Sequence, residues 1–369
     1  MDADRLLVVA DPLGATQFIS FLRPLTAAVG RGELRLAFET AADAVTEAAL
    51  SANPPAAVVL SRYALADGEA LIARARAGGI PTIFHIDDDL LNIPENLGPK
   101  KYAFHTAPAR LAALRRNMDL CDVVYASTPA LREALAGHGI RAPIVAGDLY
   151  CTIAAAEMRI ALPSTMPTIG YMGTGGHSSD LDLVLPTIRT LMKAVPGLQF
   201  ETFGTIAPPE MGELAARHRH HGPVGNYAAF LEKLCALGWW VGIAPLEDTA
   251  FNRCKADTKW VEYSFAGMAT VASDLPVYEQ ACEGGAGHLA RSPDAWLAAL
   301  SRLIADPDAR RDQVTAARRK LLTRYTHERL EHQINTVIDR ARTAVARSPS
   351  VETPQQPSKN AIQQAGEQE

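Results

Sequence analysis

The sequence predicts an α/β protein of two Rossmann-like domains, each built on a parallel sheet, with the sheets facing a cleft between them. Three observations carry this expectation. Short apolar runs alternate with amphipathic stretches through most of the chain, the signature of strands and helices taken in turn. The 369 residues are long for one hydrophobic core, since domains hold roughly 150 residues. Between Ala161 and Pro167 the chain carries Pro163 and Pro167; prolines so close interrupt helix and strand alike, which places a linker there.

In the first half, strands are expected at Leu6–Ala10, Ala56–Leu60, Thr82–Ile86 and Val123–Ser127. Helices are expected between them, as at Asp67–Ala77 and Ala107–Met118. Each strand ends in or leads directly into a polar or small residue, as where a parallel sheet delivers side chains to a cleft. The second half repeats the pattern. Its strands are Thr168–Met172, Gln199–Phe203, Trp240–Ala244 and Thr270–Ser273, and its helices Leu181–Ala194, Ala228–Leu237 and Thr258–Ala266. A long charged helical region runs from Pro307 to Arg347. The expected division is therefore 1–162, 163–330, a closing helix over 331–347, and a disordered tail over 348–369. That tail is rich in Pro, Gln, Ser and Glu and has almost no large apolar residues.

The net charge of -5 argues against a general nucleic-acid binder. The five cysteines are scattered with no CxxC pair, so neither a zinc site nor a disulfide framework is indicated, and reduced cytoplasmic thiols are expected. The N-terminus carries two acids before its first apolar run, unlike a signal peptide. No apolar run approaches the roughly 20 residues that span a bilayer, so any membrane association is expected to be peripheral.

Four stretches carry chemistry. In the first, Ile169-Gly170-Tyr171-Met172 leads into Gly173-Thr174-Gly175-Gly176-His177-Ser178-Ser179-Asp180. A strand running into a glycine-rich turn and then a helix suits a phosphate, because glycine admits close approach and the helix start offers free N–H groups. A dinucleotide fingerprint would need glycine at Ser178 and fails there. The bland reading is a tight turn capped by Ser179 or Asp180. The second stretch runs from Gly242 through Arg253, Cys254 and Lys255 to Lys259, Glu262 and Gly267. Asp257 and Gly267 read as the N-cap and C′ residues of a helix. Lys259 and Glu262, three apart, share one face of it. They suit a diphosphate and ribose hydroxyls, or else a surface ion pair.

The third stretch is His85-Ile86-Asp87-Asp88-Asp89, just after a strand. Three adjacent carboxylates repel one another unless a cation or hydroxyl donors stand near. Contacts to a polar ligand, a D-x-D metal site from Asp87 and Asp89, and a plain surface turn all remain open. In the fourth, Lys100, Lys101, Tyr102 and Phe104 precede Arg110, Arg115 and Arg116 at near-helical spacing. That pattern suits either an interfacial segment against anionic lipid or an ordinary amphipathic helix.

The run from Gly242 to Asp274, then Gly284 to Leu289, Ser292-Pro293-Asp294, Trp296 to Asp306 and Ala317-Arg318-Arg319, resembles the C-terminal domain of the group 1 (family 4) retaining glycosyltransferases of GT-B architecture. The resemblance covers residues 167–330; in the first half it rests on Asp122-Val123-Val124 through Ser127-Thr128 and the helix that follows. It implies a sugar transfer from a nucleoside-diphosphate sugar to a glycan or lipid-linked acceptor, without a further cofactor. It makes Glu262 the second glutamate of the family's E-x7-E motif, the one that binds the donor ribose. Cys254 stands where the first glutamate is usual, so Arg253, Lys255 or Asp257 is expected to take over. The family's diphosphate clamp is replaced by Gly173 to His177, which leaves Lys255 and Lys259 as the candidate cations. Asp87 or Asp88 takes the place of the family's acceptor-side histidine and is the candidate catalytic residue, with His85 alternating to the opposite side of the strand. Two other functions fit the same features: a non-catalytic partner of a glycosylation complex, suggested by Cys254, and a nucleotide-sugar epimerase.

Overall fold

The computed structural model describes residues 4–158 and 163–347. The expected tail, 348–369, and part of the expected linker lie outside the described residues. Among the described residues, twelve strands form two six-stranded sheets. In the first, β1 (Asp4–Val9), β2 (Leu34–Glu39), β3 (Ala57–Ser61), β4 (Thr82–Ile86), β5 (Val123–Ala126) and β6 (Ile144–Ala146) are ordered β2-β1-β3-β4-β5-β6. In the second, β7 (Thr168–Gly173), β8 (Gln199–Gly204), β9 (His218–His221), β10 (Val241–Ala244), β11 (Ala269–Ser273) and β12 (His288–Ala290) are ordered β12-β11-β10-β7-β8-β9. Every pairing is parallel.

The eight expected strands are the interior ones. The four that sequence reading missed, β2, β6, β9 and β12, are the edges of the two sheets. β3, β4 and β5 are buried at every position, whereas β2 and β6 are half-buried and β9 reads His-Arg-His-His. An edge strand needs no continuous apolar run, so hydrophobicity does not mark it.

Prolines also divide helices that looked continuous. The basic stretch forms two helices, Pro99–His105 and Pro108–Leu120. The expected helix over 181–194 is likewise two, Ser178–Asp182 and Leu185–Ala194, with Pro186 opening the second. The charged C-terminal region also divides, but without a proline: it breaks at Tyr325-Thr326 into Pro307–Arg324 and His327–Arg347. The first of these packs on β11 and the second on β4, β5 and the helix Arg23–Gly30, so the chain returns to its first half.

Two glycines let aromatic side chains lie directly on the second sheet. A Cβ on Gly170 in β7 would fall 1.8 Å from the Trp239 ring, and one on Gly242 in β10 would fall 2.5 Å from that of Tyr263. Tyr263 Oη then donates to Ile243 O at 3.0 Å and accepts from Met172 N at 3.1 Å, pinning the helix Thr258–Phe265 to two strands. Gly267, at φ 75°, ends that helix as expected. Asp257 holds the N-cap position as expected, but its side chain makes no capping bond: the carboxylate accepts from Tyr325 Oη at 2.5 Å instead. Gly170→Ala forces Trp239, 1 % exposed, out of its site. It should cost about 1–3 kcal/mol or more of unfolding free energy in urea denaturation; an unchanged midpoint would contradict this packing.

Candidate functional site

Parallel strands deliver their following loops to one edge of a sheet, and ligands gather there. Both sheets turn that edge toward a single cavity of about 790 Å³. The first half lines it with Leu13, Gly14 and Ala15 after β1, with Asp87 and Asp88 after β4, and with Tyr150. The second half supplies Met172 to Thr174 and His177 after β7, Phe203 to Thr205 at β8, residues 223–227 after β9, and Lys255, Lys259 and Glu262 after β10.

The glycine turn enters the cavity at Gly173 and Thr174, and His177 lines it too. Gly175 is exposed and is not among the lining residues; its N–H donates to Thr205 Oγ1 at 3.3 Å. Asp180 does not serve as the expected cap. One of its oxygens lies 2.7 Å from His177 Nδ1 and the other accepts from Glu247 N at 2.8 Å. The charge of Lys259, together with burial, pushes the His177 imidazole down to about 4 despite Asp180. His177 is therefore neutral near pH 7.

Lys259 and Glu262 both face the cavity and make no ion pair with each other among the described residues. Lys259 Nζ lies 5.8 Å from the centre of the Tyr171 ring, and burial lowers its pKa. Glu262 is 7 % exposed and accepts from Tyr227 Oη at 2.8 Å. Burial pushes its carboxyl up to about 7, against the pull of Tyr227 and Lys259. Lys255 reaches across the cleft to Asp88 Oδ1 at 3.2 Å. Arg253 is a correction: its guanidinium is solvent-exposed, pairs with Asp248 at 2.5 Å and is not among the lining residues. Cys254 is 3 % exposed and donates to Ala250 O, so its side chain faces the protein interior.

The three adjacent carboxylates diverge. Asp87 Oδ2 accepts from Tyr150 Oη at 2.7 Å and Thr16 Oγ1 at 3.0 Å. Asp88 pairs with Arg62 at 2.5 Å and with Lys255. Asp89, 2 % exposed, turns away to His138 Nε2 at 2.9 Å. That divergence undoes the D-x-D metal reading, because the Asp87 and Asp89 side chains do not converge on one point. Burial opposes ionisation of Asp88, but Lys255 and Arg62 outweigh it and hold its carboxyl at about 2. His85 is buried in the core beneath the cavity, with Nδ1 at 2.9 Å from Ser61 Oγ and its ring against Phe21 and Tyr125.

Sequence reading missed Arg62, Tyr150, the loop after β9 and the aromatic wall. Arg62 follows β3 at φ 53°, and among the described residues it alone has a positive φ without being glycine. Strained backbone of this kind persists where surroundings over-determine it, here two carboxylates. The wall stacks Phe203 on Phe230 (5.1 Å, 12°) and Phe230 on Tyr227 (5.7 Å, 20°). Gly222-Pro223-Val224-Gly225 was a legible turn, but the polar strand before it was not. Tyr150 carried no signal at all.

The raised carboxyl of Glu262 makes stability depend on pH. The folded chain keeps this proton at pH values where the unfolded chain has lost it, so this contribution falls as pH rises from 4.5 toward about 7. Glu262→Gln removes the penalty. Its unfolding free energy should gain on the parent across that window by up to about 3 kcal/mol, read by urea denaturation at several pH values. A difference independent of pH would contradict the burial of an ionising carboxyl.

No protein-family model matches this chain, and no curated protein matches it. Solved structures do match in fold. Sucrose-phosphate synthase from Thermosynechococcus elongatus superposes with a TM-score of 0.62 at 13% identity, over 92% of this chain and 100% of that one. HepE from Anabaena, in complex with UDP-glucose, gives 0.59 at 12% identity, over 91% and 99%. A TarM mutant from S. aureus, in complex with fondaparinux, α-GlcNAc-glycerol and UDP, gives 0.57 at 12% identity. It is matched over 79% of this chain, which spans 58% of the length of TarM. These neighbours are GT-B glycosyltransferases, and the two parallel six-stranded sheets with their helices have the GT-B fold.

Proposed function

We propose that the protein transfers a sugar from a nucleoside-diphosphate sugar to a glycan or lipid-linked acceptor. Residues 1–162 would hold the acceptor, residues 163–330 the donor, and 331–347 would close back onto the first half. The observation that carries this reading is the order of chemistry along one cavity. An aromatic wall, Phe203, Tyr227 and Phe230, suits a base; the Glu262 carboxylate suits a ribose diol; Lys259, Lys255 and the turn at Gly173 and Thr174 suit a diphosphate. Asp87 lies across the cavity, on the acceptor side. UDP or UDP-glucose in the named complexes of the fold neighbours supports the donor class.

The reaction asks for positioning and charge stabilisation more than covalent help. An acceptor hydroxyl oxygen bonds the anomeric carbon on the same face from which the diphosphate departs, as retention requires, and gives its proton to Asp87. The sugar–phosphate C–O bond breaks, and its electron pair leaves with the diphosphate. Lys255 and Lys259 stabilise that charge. Retention at the anomeric carbon follows the family resemblance; the coupling constant of the product's anomeric proton should match that of the donor, and the opposite anomer would contradict it. The buried Cys254 also favours a second reading, a non-catalytic sugar-nucleotide binder, which keeps donor affinity but shows neither transfer nor hydrolysis.

Glu262→Gln keeps the shape of the side chain and weakens its bonds to the ribose. A hydrogen bond to a charged group contributes about 1.5–3 kcal/mol, so affinity for UDP should fall about tenfold or more. Lys259→Met should weaken UDP more than UMP, because the lost charge faces the diphosphate. Calorimetric titration of UDP and UMP into each folded variant reads both. Unchanged affinities in both variants would remove the donor-site assignment.

A further inference from the structure

We infer that Tyr227 is the positioning residue for the donor ribose: its hydroxyl occupies one oxygen of Glu262, holds the carboxylate away from Lys259 and leaves the other oxygen to the sugar hydroxyls. This inference rests on the reading of Glu262 as the ribose-binding group. The two oxygens of Glu262 differ. Oε1 accepts from Tyr227 Oη at 2.8 Å. Oε2 makes no hydrogen bond among the described residues, yet it is not one of the wholly buried unpaired atoms. It therefore opens onto the cavity that Glu262 lines. A carboxylate only 7 % exposed calls for further donors, and a ribose diol supplies them. Lys259 is the competing donor. Three residues apart on the helix Thr258–Phe265, the two side chains would ordinarily meet. Each charge shifts the pKa of the other, yet they form no ion pair among the described residues.

Tyr227 is itself held from both halves of the chain. It opens the helix Tyr227–Leu237, which Asn226 caps by accepting from Ala229 N at 2.9 Å. Phe230 stacks on its ring. From the first half, the Phe18 ring lies 5.8 Å away at 56°, and the Arg23 guanidinium lies 5.7 Å from the ring centre. Cys151 Sγ, from the segment that leaves the first half after β6, lies 3.5 Å from Tyr227 Oη. A phenol has one proton to give. It is committed to Glu262, so the thiol donates to Oη. Burial, with Cys151 and Glu262 adding to it, raises the phenol pKa well above its ordinary value. Burial likewise pushes the Cys151 thiol up to about 12. Both groups thus keep their protons, and Tyr227 remains a donor to the carboxylate.

The test compares nucleotides that differ by one group, on one folded protein at a time, so that a general loss of stability cancels from each ratio. Calorimetric titration at pH 8 keeps the Glu262 carboxyl, raised to about 7, mostly ionised. The parent should bind UDP about tenfold or more tighter than 2′,3′-dideoxy-UDP, because hydrogen bonds to a charged group go with the diol. Tyr227→Phe keeps the ring against Phe230 and frees the carboxylate to swing to Lys259. The preference for UDP over the dideoxy nucleotide should then shrink to about threefold or less. The preference for UDP over UMP should shrink with it, because the new ion pair takes Lys259 from the diphosphate. In the Lys259→Met background Glu262 has no such cation to turn to, and Tyr227→Phe should leave most of the preference for the diol in place. A loss there as large as in the parent background would overturn the proposal. So would an undiminished preference for the diol in Tyr227→Phe, or equal losses on all three nucleotides, the mark of a merely structural role. Equal binding of UDP and the dideoxy nucleotide by the parent would overturn the ribose reading of Glu262, and the role of Tyr227 with it. No binding of UDP by the parent would overturn the donor reading itself.

Discussion

Asp88 is shared by two cations from opposite halves of the molecule, and the form of the cleft depends on that sharing. Arg62 reaches it from the end of β3 and Lys255 from beyond β10. A half-buried carboxylate needs such partners, because desolvation otherwise outweighs what its charge gains. With a side chain 26 % exposed, removal of one partner costs less than the roughly 3–5 kcal/mol typical of a fully buried pair. Neighbouring cross-cleft bonds are neutral or exposed: Thr128 Oγ1 donates to Cys254 O at 2.8 Å, and Asn96 Nδ2 donates to Glu247 at 2.8 Å. The ion pair on Asp88 is what brings a charged side chain of the second half onto the cavity wall of the first.

That arrangement also divides the charges by task. Lys255 is held on Asp88, whereas Lys259 makes no ion pair among the described residues, lies near the Tyr171 ring and has its basicity depressed by burial. Lys259 keeps its neighbour His177 neutral. Glu262, tied to Tyr227, is neither ion-paired nor solvated, and its carboxyl rises toward neutrality. A cation and a carboxylate three residues apart on one helix would ordinarily neutralise each other in water. Here the fold keeps them apart and partly desolvated, at a cost in stability that a ligand with an anionic and a hydroxyl end would offset.

The interior of both sheets was legible because each interior strand is an apolar run between turn signals. The edges were not, because β9 with its three histidines and the short β6 need no such run. Of the site, the glycine turn, Lys255, Lys259 and Glu262 could be read from local pattern and resemblance, and all five of Gly173, Thr174, Lys255, Lys259 and Glu262 line the cavity. Arg253 was misplaced because helical spacing does not say which way a short exposed turn faces; it belongs to the four-residue helix Ala250–Arg253 and points to Asp248. Arg62 and Tyr150 were invisible for a different reason. Each acts through partners far away in the chain, Asp87 in both cases, and nothing local distinguishes an arginine after a strand or a tyrosine in a connecting segment.

The central claim is that one cavity, between the C-terminal edges of two sheets, binds a nucleoside diphosphate mainly through its second half. Amide hydrogen exchange with and without saturating UDP tests it most directly. Slower exchange over residues 173–178, 223–227 and 255–262, with the remote faces of both sheets unchanged, is the predicted result. Unaltered exchange over all three segments, or protection confined to surfaces outside the cavity, would contradict it.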